Sequence, residues 1–202
     1  MGSVQGTKTG WQKFARRVRV PLGFFLAAVF LVFAAPTWKT LAWGLVLVVP
    51  GIWLRGYAAG YVKKNAELTR TGPYAYTRNP LYLGSMGIAF GIAIGAGKWW
   101  LGGLLVVMFL AIYVPTILSE EAFLRANFAE FDEYARRVPR LLPRLTAARL
   151  GESNIGAGRF SAERYRHHRE YNALMGAAAI YAALIVKMYA APGLRMLFHL
   201  HA

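Results

Sequence analysis

Five long apolar stretches decide what this chain can fold into. They cover about residues 18–35, 41–61, 81–97, 99–118 and 173–191. A helix that crosses a bilayer needs about 17–25 mostly apolar residues. Each stretch meets or approaches that length, the first and third at the short end. Composition agrees: 56% of the residues are hydrophobic and 16% charged, against about 45–50% and about 25% in soluble domains. The expected fold class is therefore all-α, a polytopic membrane helix bundle of about five transmembrane helices.

The connections sharpen this picture. Residues 36–40 are too few to do more than turn between the first two stretches, and Lys98 stands almost alone between the third and fourth. Both pairs are expected as antiparallel hairpins. Trp38, Trp43, Trp99 and Trp100 lie near stretch ends, where aromatic rings favour the membrane–water interface. Residues 1–148 are expected to form a core of four spans followed by an amphipathic cytoplasmic helix over 120–138. Residues 149–202 would add a polar linker and the fifth span.

A net charge of +15 would in a soluble protein suggest nucleic acid. The placement of the charges argues otherwise. Twenty of the 24 basic residues fall in the N-terminal arm (Lys8 to Arg19), the segment after the second stretch (Arg55 to Arg78) and the segment after the fourth (Arg125 to Arg169). Lys and Arg collect on the cytoplasmic side of membrane proteins. One topology satisfies all three segments: N-terminus cytoplasmic, both long polar segments cytoplasmic, C-terminus outside. The expected setting is an integral, multi-pass protein, in the cytoplasmic membrane of a prokaryote. The bilayer is the expected partner and nucleic acid is not. Without cysteine there is neither a disulfide framework nor a thiolate nucleophile.

Within the stretches, Gly87, Gly91 and Gly95 recur every fourth residue, a spacing that lets two helix backbones approach closely in lipid. Pro50 and Pro115 are expected to kink their helices. Arg55 is expected to reach for the headgroups.

Two polar segments hold most of the chemistry. In residues 65–84, Gly72-Pro73 marks a turn, and Pro80 drives Asn79 out of the α region at the start of the third helix. Tyr74, Tyr76, Tyr82 and Arg78 crowd this turn. Arg can grip a carboxylate with two parallel hydrogen bonds. In residues 119–144, Leu124, Phe128, Phe131, Ala135 and Val138 follow helical spacing. Arg136, Arg137, Arg140 and Arg144 are expected mostly to edge the lipid surface. Glu120-Glu121, a carboxylate pair at a membrane boundary, points to function. Facing the Arg78–Tyr82 turn, it would suit a cationic ligand such as a sulfonium or an α-amino group.

The two segments resemble paired motifs of the isoprenylcysteine carboxyl methyltransferase superfamily, which includes phospholipid methyltransferases. The first is GPYAYTRNPLYLG and the second EEAFLRANFAEFDEYARRVPRLLP. With the span between them they cover residues 65–143. The resemblance implies S-adenosyl-L-methionine as cofactor, held on the cytoplasmic side, and a lipophilic acceptor entering from the bilayer. It further implies cofactor contacts from Glu67, Leu68, Thr69, Tyr74, Asn79, Pro80, Leu81, Tyr82, Glu120 and Glu121, with Arg78 and Glu120 as candidate catalytic residues. Asn79 replaces the family histidine and cannot titrate. Thr116 stands where an arginine contacts prenylcysteine in the eukaryotic members. Methyl transfer is an in-line displacement that requires no metal, and none is expected. A related membrane fold is used by NADPH-dependent sterol reductases, and a non-enzymatic adaptor for anionic lipid would also use the arginines. Those two are the alternatives to a methyltransferase acting on an isoprenylcysteine-like carboxylate or a lipid amine.

Overall fold

The computed structural model describes residue 25 and residues 27–62, 67–148, 159–167 and 169–199, the last nine by their backbone alone. All regular structure among these residues is helical. Residues 27–33 form the described part of α1; residues 18–24 and 26 of the expected first span, the basic N-terminal arm and residues 149–158 and 168 of the expected linker lie outside the described residues. Next come α2 (Trp38–Tyr61), a 3₁₀ turn (Gly72–Ala75) and α3 (Pro80–Gly95). Then α4 (Trp99–Met108) runs through a single π turn (Phe109–Tyr113) into α5 (Val114–Asn127), followed by α6 (Phe131–Arg137), α7 (Ala162–His167) and α8 (Tyr171–His199).

Among the described residues, three helical segments are long and apolar enough to cross a membrane: Trp38–Tyr61, Trp99–Asn127 and Tyr171–Ala190. Helix α3 is apolar but has only 16 residues. At about 1.5 Å per residue it is about 24 Å long, short of a hydrocarbon core of about 30 Å. The outward surface is what lipid requires. Trp43, Trp53, Val107 and Val186 are exposed, and Trp99 is 90% exposed. Water would not tolerate apolar patches of that extent. The chain is a multi-pass membrane protein.

Helices α2 and α3 form the spine. Thr37 caps α2 in a reciprocal capping box with Thr40, which satisfies two backbone donors that the first turn leaves open. The Thr40 hydroxyl also donates to the Gly95 carbonyl (3.1 Å), so the start of α2 is fixed to the end of α3. From there the two run antiparallel, backbone against backbone. A Cβ on Gly51 would stand 2.7 Å from the Gly84 carbonyl oxygen, and one on Gly91 would collide with the Gly44 carbonyl. Gly87 and Gly91 thus serve the close approach expected of their spacing, whereas Gly95 faces Tyr181 of α8 and Leu41 of α2. Tyr181 completes the seam by donating to the Gly91 carbonyl (3.4 Å). Phe30, Leu41, Val48, Ile92, Leu101 and Leu184 close the apolar centre around it.

Two expectations about helices change. The fourth apolar stretch does not end at 118 but continues as helix to Asn127. The amphipathic helix expected over 120–138 is therefore two pieces: the end of α5 and the seven residues of α6, separated where Phe128 turns extended (φ −132°, ψ 110°). The apolar spacing across 124–138 survives the break because Leu124, Phe128, Phe131, Tyr134 and Val138 still converge, now on Leu68.

Candidate functional site

The C-terminal ends of α2 and α5 and the N-terminal ends of α3 and α8 meet at one end of the bundle. Two contacts establish this: Tyr82 of α3 bonds Glu120 of α5, and Arg55 of α2 bonds Glu170 beside α8. Across this end lie the segments 67–79 and 138–148, stitched together by backbone hydrogen bonds. Arg78 N–H donates to the Pro139 carbonyl (2.9 Å), Arg144 N–H to Tyr76 (3.0 Å) and Ala148 N–H to Ala75 (2.9 Å). Side chains add to the seam: the Thr77 hydroxyl donates to the Leu141 carbonyl (3.0 Å) and the Asn79 amide to the Arg140 carbonyl (2.8 Å). Pro139 and Pro143 cannot continue a helix, so they keep the second strap out of helix and its carbonyls available.

The strap carries Arg140 to Glu121, which is only 5% exposed. Arg140 Nε stands 3.1 Å from both carboxylate oxygens and its Nη2 lies 2.9 Å from Oε2. Arg78 approaches from the other side, Nη1 to Oε1 at 3.1 Å. One buried carboxylate is thus gripped by two guanidinium groups. Burial pulls the Arg78 guanidinium below its ordinary value while Glu121 opposes the shift, and the hydrogen bonds that Arg140 donates to Glu121 push Arg140 up. Both remain cationic, as arginine does in proteins. Arg140, expected at the lipid edge, is a half-exposed partner of the buried Glu121 instead.

Glu120, next to it in sequence, is exposed. It accepts from the Tyr82 hydroxyl (2.9 Å). The Tyr82 ring in turn meets the Tyr113 ring edge-on at 5.6 Å, and Tyr113 stacks on Phe109 at 5.2 Å. An open carboxylate beside aromatic rings is an environment that favours a cation.

The remaining expected residues fall around this centre in different ways. Asn79 caps α3 and Pro80 opens it, both buried. Leu81 is half-buried on the same turn. Tyr74 is buried in the 3₁₀ turn, and its carbonyl accepts from the Tyr134 hydroxyl (2.8 Å). Burial pushes the phenols of Tyr74 and Tyr134 far up, so both stay protonated. Leu68 packs on the Phe131, Tyr134 and Val138 cluster, which holds Glu67 and Thr69 near the same end. Tyr74 is therefore a buried support, whereas Glu120 and Tyr82 form the accessible chemistry beside the buried Arg78–Glu121 pair.

Sequence reasoning missed Tyr113, Tyr134, Thr77 and Arg70. The only prior signal for Arg70 was its place directly after the expected contact residues 67–69. Arg55 also departs from expectation. It does not reach for lipid; its Nε and Nη2 bond Glu170 (3.0 and 2.8 Å) and its Nη1 bonds Ser85, tying α2, α3 and the entry to α8. Among the described residues no three His, Asp or Glu side chains converge as a metal site would require.

Residues 31–130, which run from α1 through the acid pair to the start of α6, match the family model of phospholipid methyltransferases. A nickel-cobalt-cadmium resistance protein of Alcaligenes xylosoxydans xylosoxydans is 36% identical over 107 residues, 52% of this chain and 49% of that protein. A cobalt-zinc-cadmium resistance protein of Cupriavidus metallidurans is 36% identical over 111 residues, 54% of this chain and 50% of that protein. The matched part thus spans about half the length of these curated relatives. No solved structure matches the chain.

Proposed function

The chain belongs to the phospholipid methyltransferase family of the isoprenylcysteine/phospholipid methyltransferase superfamily, and from that premise we propose that it methylates a lipophilic acceptor with S-adenosyl-L-methionine as donor. The observation that carries the proposal is the contrast between two adjacent acids. Glu121 is buried and saturated by Arg78 and Arg140, whereas Glu120 is open and faces tyrosine rings. The donor set suits this cofactor: a free carboxylate and aromatic faces for the positive end, and guanidinium groups for the carboxylate end.

When bound, the cofactor supplies an electrophilic methyl group on a sulfonium. The chain's own residues would then do three things. Glu120, steadied by Tyr82, holds positive charge at the membrane boundary. Arg78, fixed by Glu121, presents its remaining donors to anionic groups, and Asn79 holds the Arg140 strap in place. The α3–α5 wall, with Tyr82, Tyr113 and Phe109, excludes water from the reacting centre, where water would screen charge. Alignment of nucleophile and methyl group is worth about 7–11 kcal/mol of a barrier in favourable cases. An in-line displacement thus needs positioning more than acid–base chemistry, and Asn79 at the family histidine position is compatible with it.

The acceptor in this reading is an isoprenylcysteine-like carboxylate or a lipid amine, presented from the bilayer beside the short helix α3. The site face is cytoplasmic, which places the arginines of both polar segments inside. The test is calorimetric titration of the full chain in detergent with S-adenosyl-L-methionine. Glu120→Gln should weaken binding at least tenfold while leaving the melting temperature in place. Undiminished affinity in that variant would remove Glu120 from the site.

A further inference from the structure

The arginines around Glu121 outnumber the charge they neutralise. Arg78 and Arg140 both contact this one carboxylate, and Arg70 lies close enough to act with Arg78 on the Tyr134 hydroxyl. Other acids nearby are committed elsewhere: Asp132 pairs with Arg125 at 2.7 Å and Glu133 with Arg137 at 2.8 Å. Arg140 is half open to solvent, but Arg78 is 12% exposed. The Nε atoms of both Arg70 and Arg78 are buried without a hydrogen-bond partner. A buried donor left open costs about 1–3 kcal/mol, more when charged. Two such donors, on arginines that both act on Tyr134 in a cluster with excess positive charge, suit an anion.

The neighbouring features say which anion. Glu120 lies one residue from Glu121 and repels a bare phosphate, but it attracts an ammonium group. A ligand that meets both features must carry a carboxylate and a cation within a few bonds of each other. That describes the α-amino acid end of the methyl donor. Arg is the side chain that matches a planar carboxylate with parallel N–H groups.

We infer that Arg70 is a binding residue for the α-carboxylate of the methyl donor, forming with Arg78 a two-guanidinium cradle opposite the Glu120 carboxylate. This rests on the donor assignment above and adds to it a residue and a ligand atom. Leu68, anchored on Phe131, Tyr134 and Val138, positions the backbone that presents Arg70. The cradle needs no rearrangement of the Arg78–Glu121–Arg140 ion pairs, since Arg78 uses Nη1 for Glu121.

The experiment compares two ligands on the full chain in detergent: S-adenosyl-L-methionine and its decarboxylated form, which keeps the sulfonium and the amine. Wild type should bind the decarboxylated form at least tenfold more weakly. Arg70→Gln should weaken S-adenosyl-L-methionine at least tenfold and leave the decarboxylated ligand within twofold. Arg70→Lys keeps the charge without the planar fork, so it should lose part of the affinity for the first ligand and none for the second. If the Gln variant does not fold, the Lys variant alone decides. Equal loss for both ligands, or no loss for either, overturns the inference while the donor assignment stands. Wild type that binds neither ligand overturns the donor assignment, and the cradle with it.

Discussion

Replacing Glu121 with Gln tests the buried acid of the pair apart from its exposed neighbour. Glu121 accepts four short contacts, three from Arg140 and one from Arg78, at 2.9–3.1 Å. It is 5% exposed, so the carboxylate has no water to replace them. Breaking a buried ion pair by removing one partner costs about 3–5 kcal/mol, because the other charge stays buried and unpaired. Here the two partners differ. Arg140 is 50% exposed and can turn to solvent, whereas Arg78 at 12% cannot. The loss should therefore sit at the low end, about 3 kcal/mol. For a chain of this size each kcal/mol moves the melting temperature by about 2–4 °C, so a fall of about 6–12 °C is expected. Thermal unfolding in detergent, followed by near-ultraviolet circular dichroism, measures it. Arg140→Ala is the internal comparison. It leaves Glu121 with Arg78 and should cost less than half as much. A Glu121→Gln variant as stable as wild type, or one less harmed than Arg140→Ala, would refute the account of Glu121 as the buried centre of the ion cluster.

Two further substitutions test the scaffold. Gly51→Val would place a Cβ 2.7 Å from the Gly84 carbonyl and 2.9 Å from the Ile88 nitrogen, backbone atoms that cannot step aside. Overpacking of this kind costs about 1–3 kcal/mol, so the melting temperature should drop. Gly102→Val, whose Cβ meets nothing within 4 Å, should leave it unchanged. Arg55→Gln strands Glu170, which is only 10% exposed. A loss of about 2 kcal/mol is expected, below that of a fully buried pair since Arg55 keeps partial solvent contact. The exchange Arg55→Glu with Glu170→Arg should recover part of the melting temperature.

What could be read ahead of the structure, and what could not, divides along physical lines. Apolar length located α2, the α4–α5 pair and α8, because hydrophobic extent is a property of each segment alone. The Gly87/Gly91 row announced a close helix contact for the same reason. Proline chemistry put the start of α3 at Pro80. The fates of the arginines were not legible. Arg55 stands alone among apolar residues and Arg140 among three other arginines, and neither setting names a partner. Their partners, Glu170 and Glu121, are 115 and 19 positions away. Only the return of the chain to the same end of the bundle decides that these charges turn inward. The acids were partly legible: their rarity singled out Glu120-Glu121, but which of the two is buried depends on helix phase.

That phase is set by the π turn. Across Phe109–Tyr113 the backbone bonds span five residues, with Val114 N–H reaching the Phe109 carbonyl, and Pro115 follows where its missing N–H would leave a gap in an α ladder. One added residue rotates everything downstream by about 100°, since each residue of an α-helix turns that far. Adjacent residues differ by the same angle. Without the insertion, the position now taken by Glu121 would fall to a neighbour in the sequence, and the carboxylate would lose its arginines. The same turn sets Tyr113 edge-on against Tyr82, whose hydroxyl holds Glu120. π turns are frequent at functional sites. Here a single irregularity in a membrane helix directs one acid of an adjacent pair into an ion cluster that stabilises the fold, and it leaves the other exposed beside the Tyr82 hydroxyl.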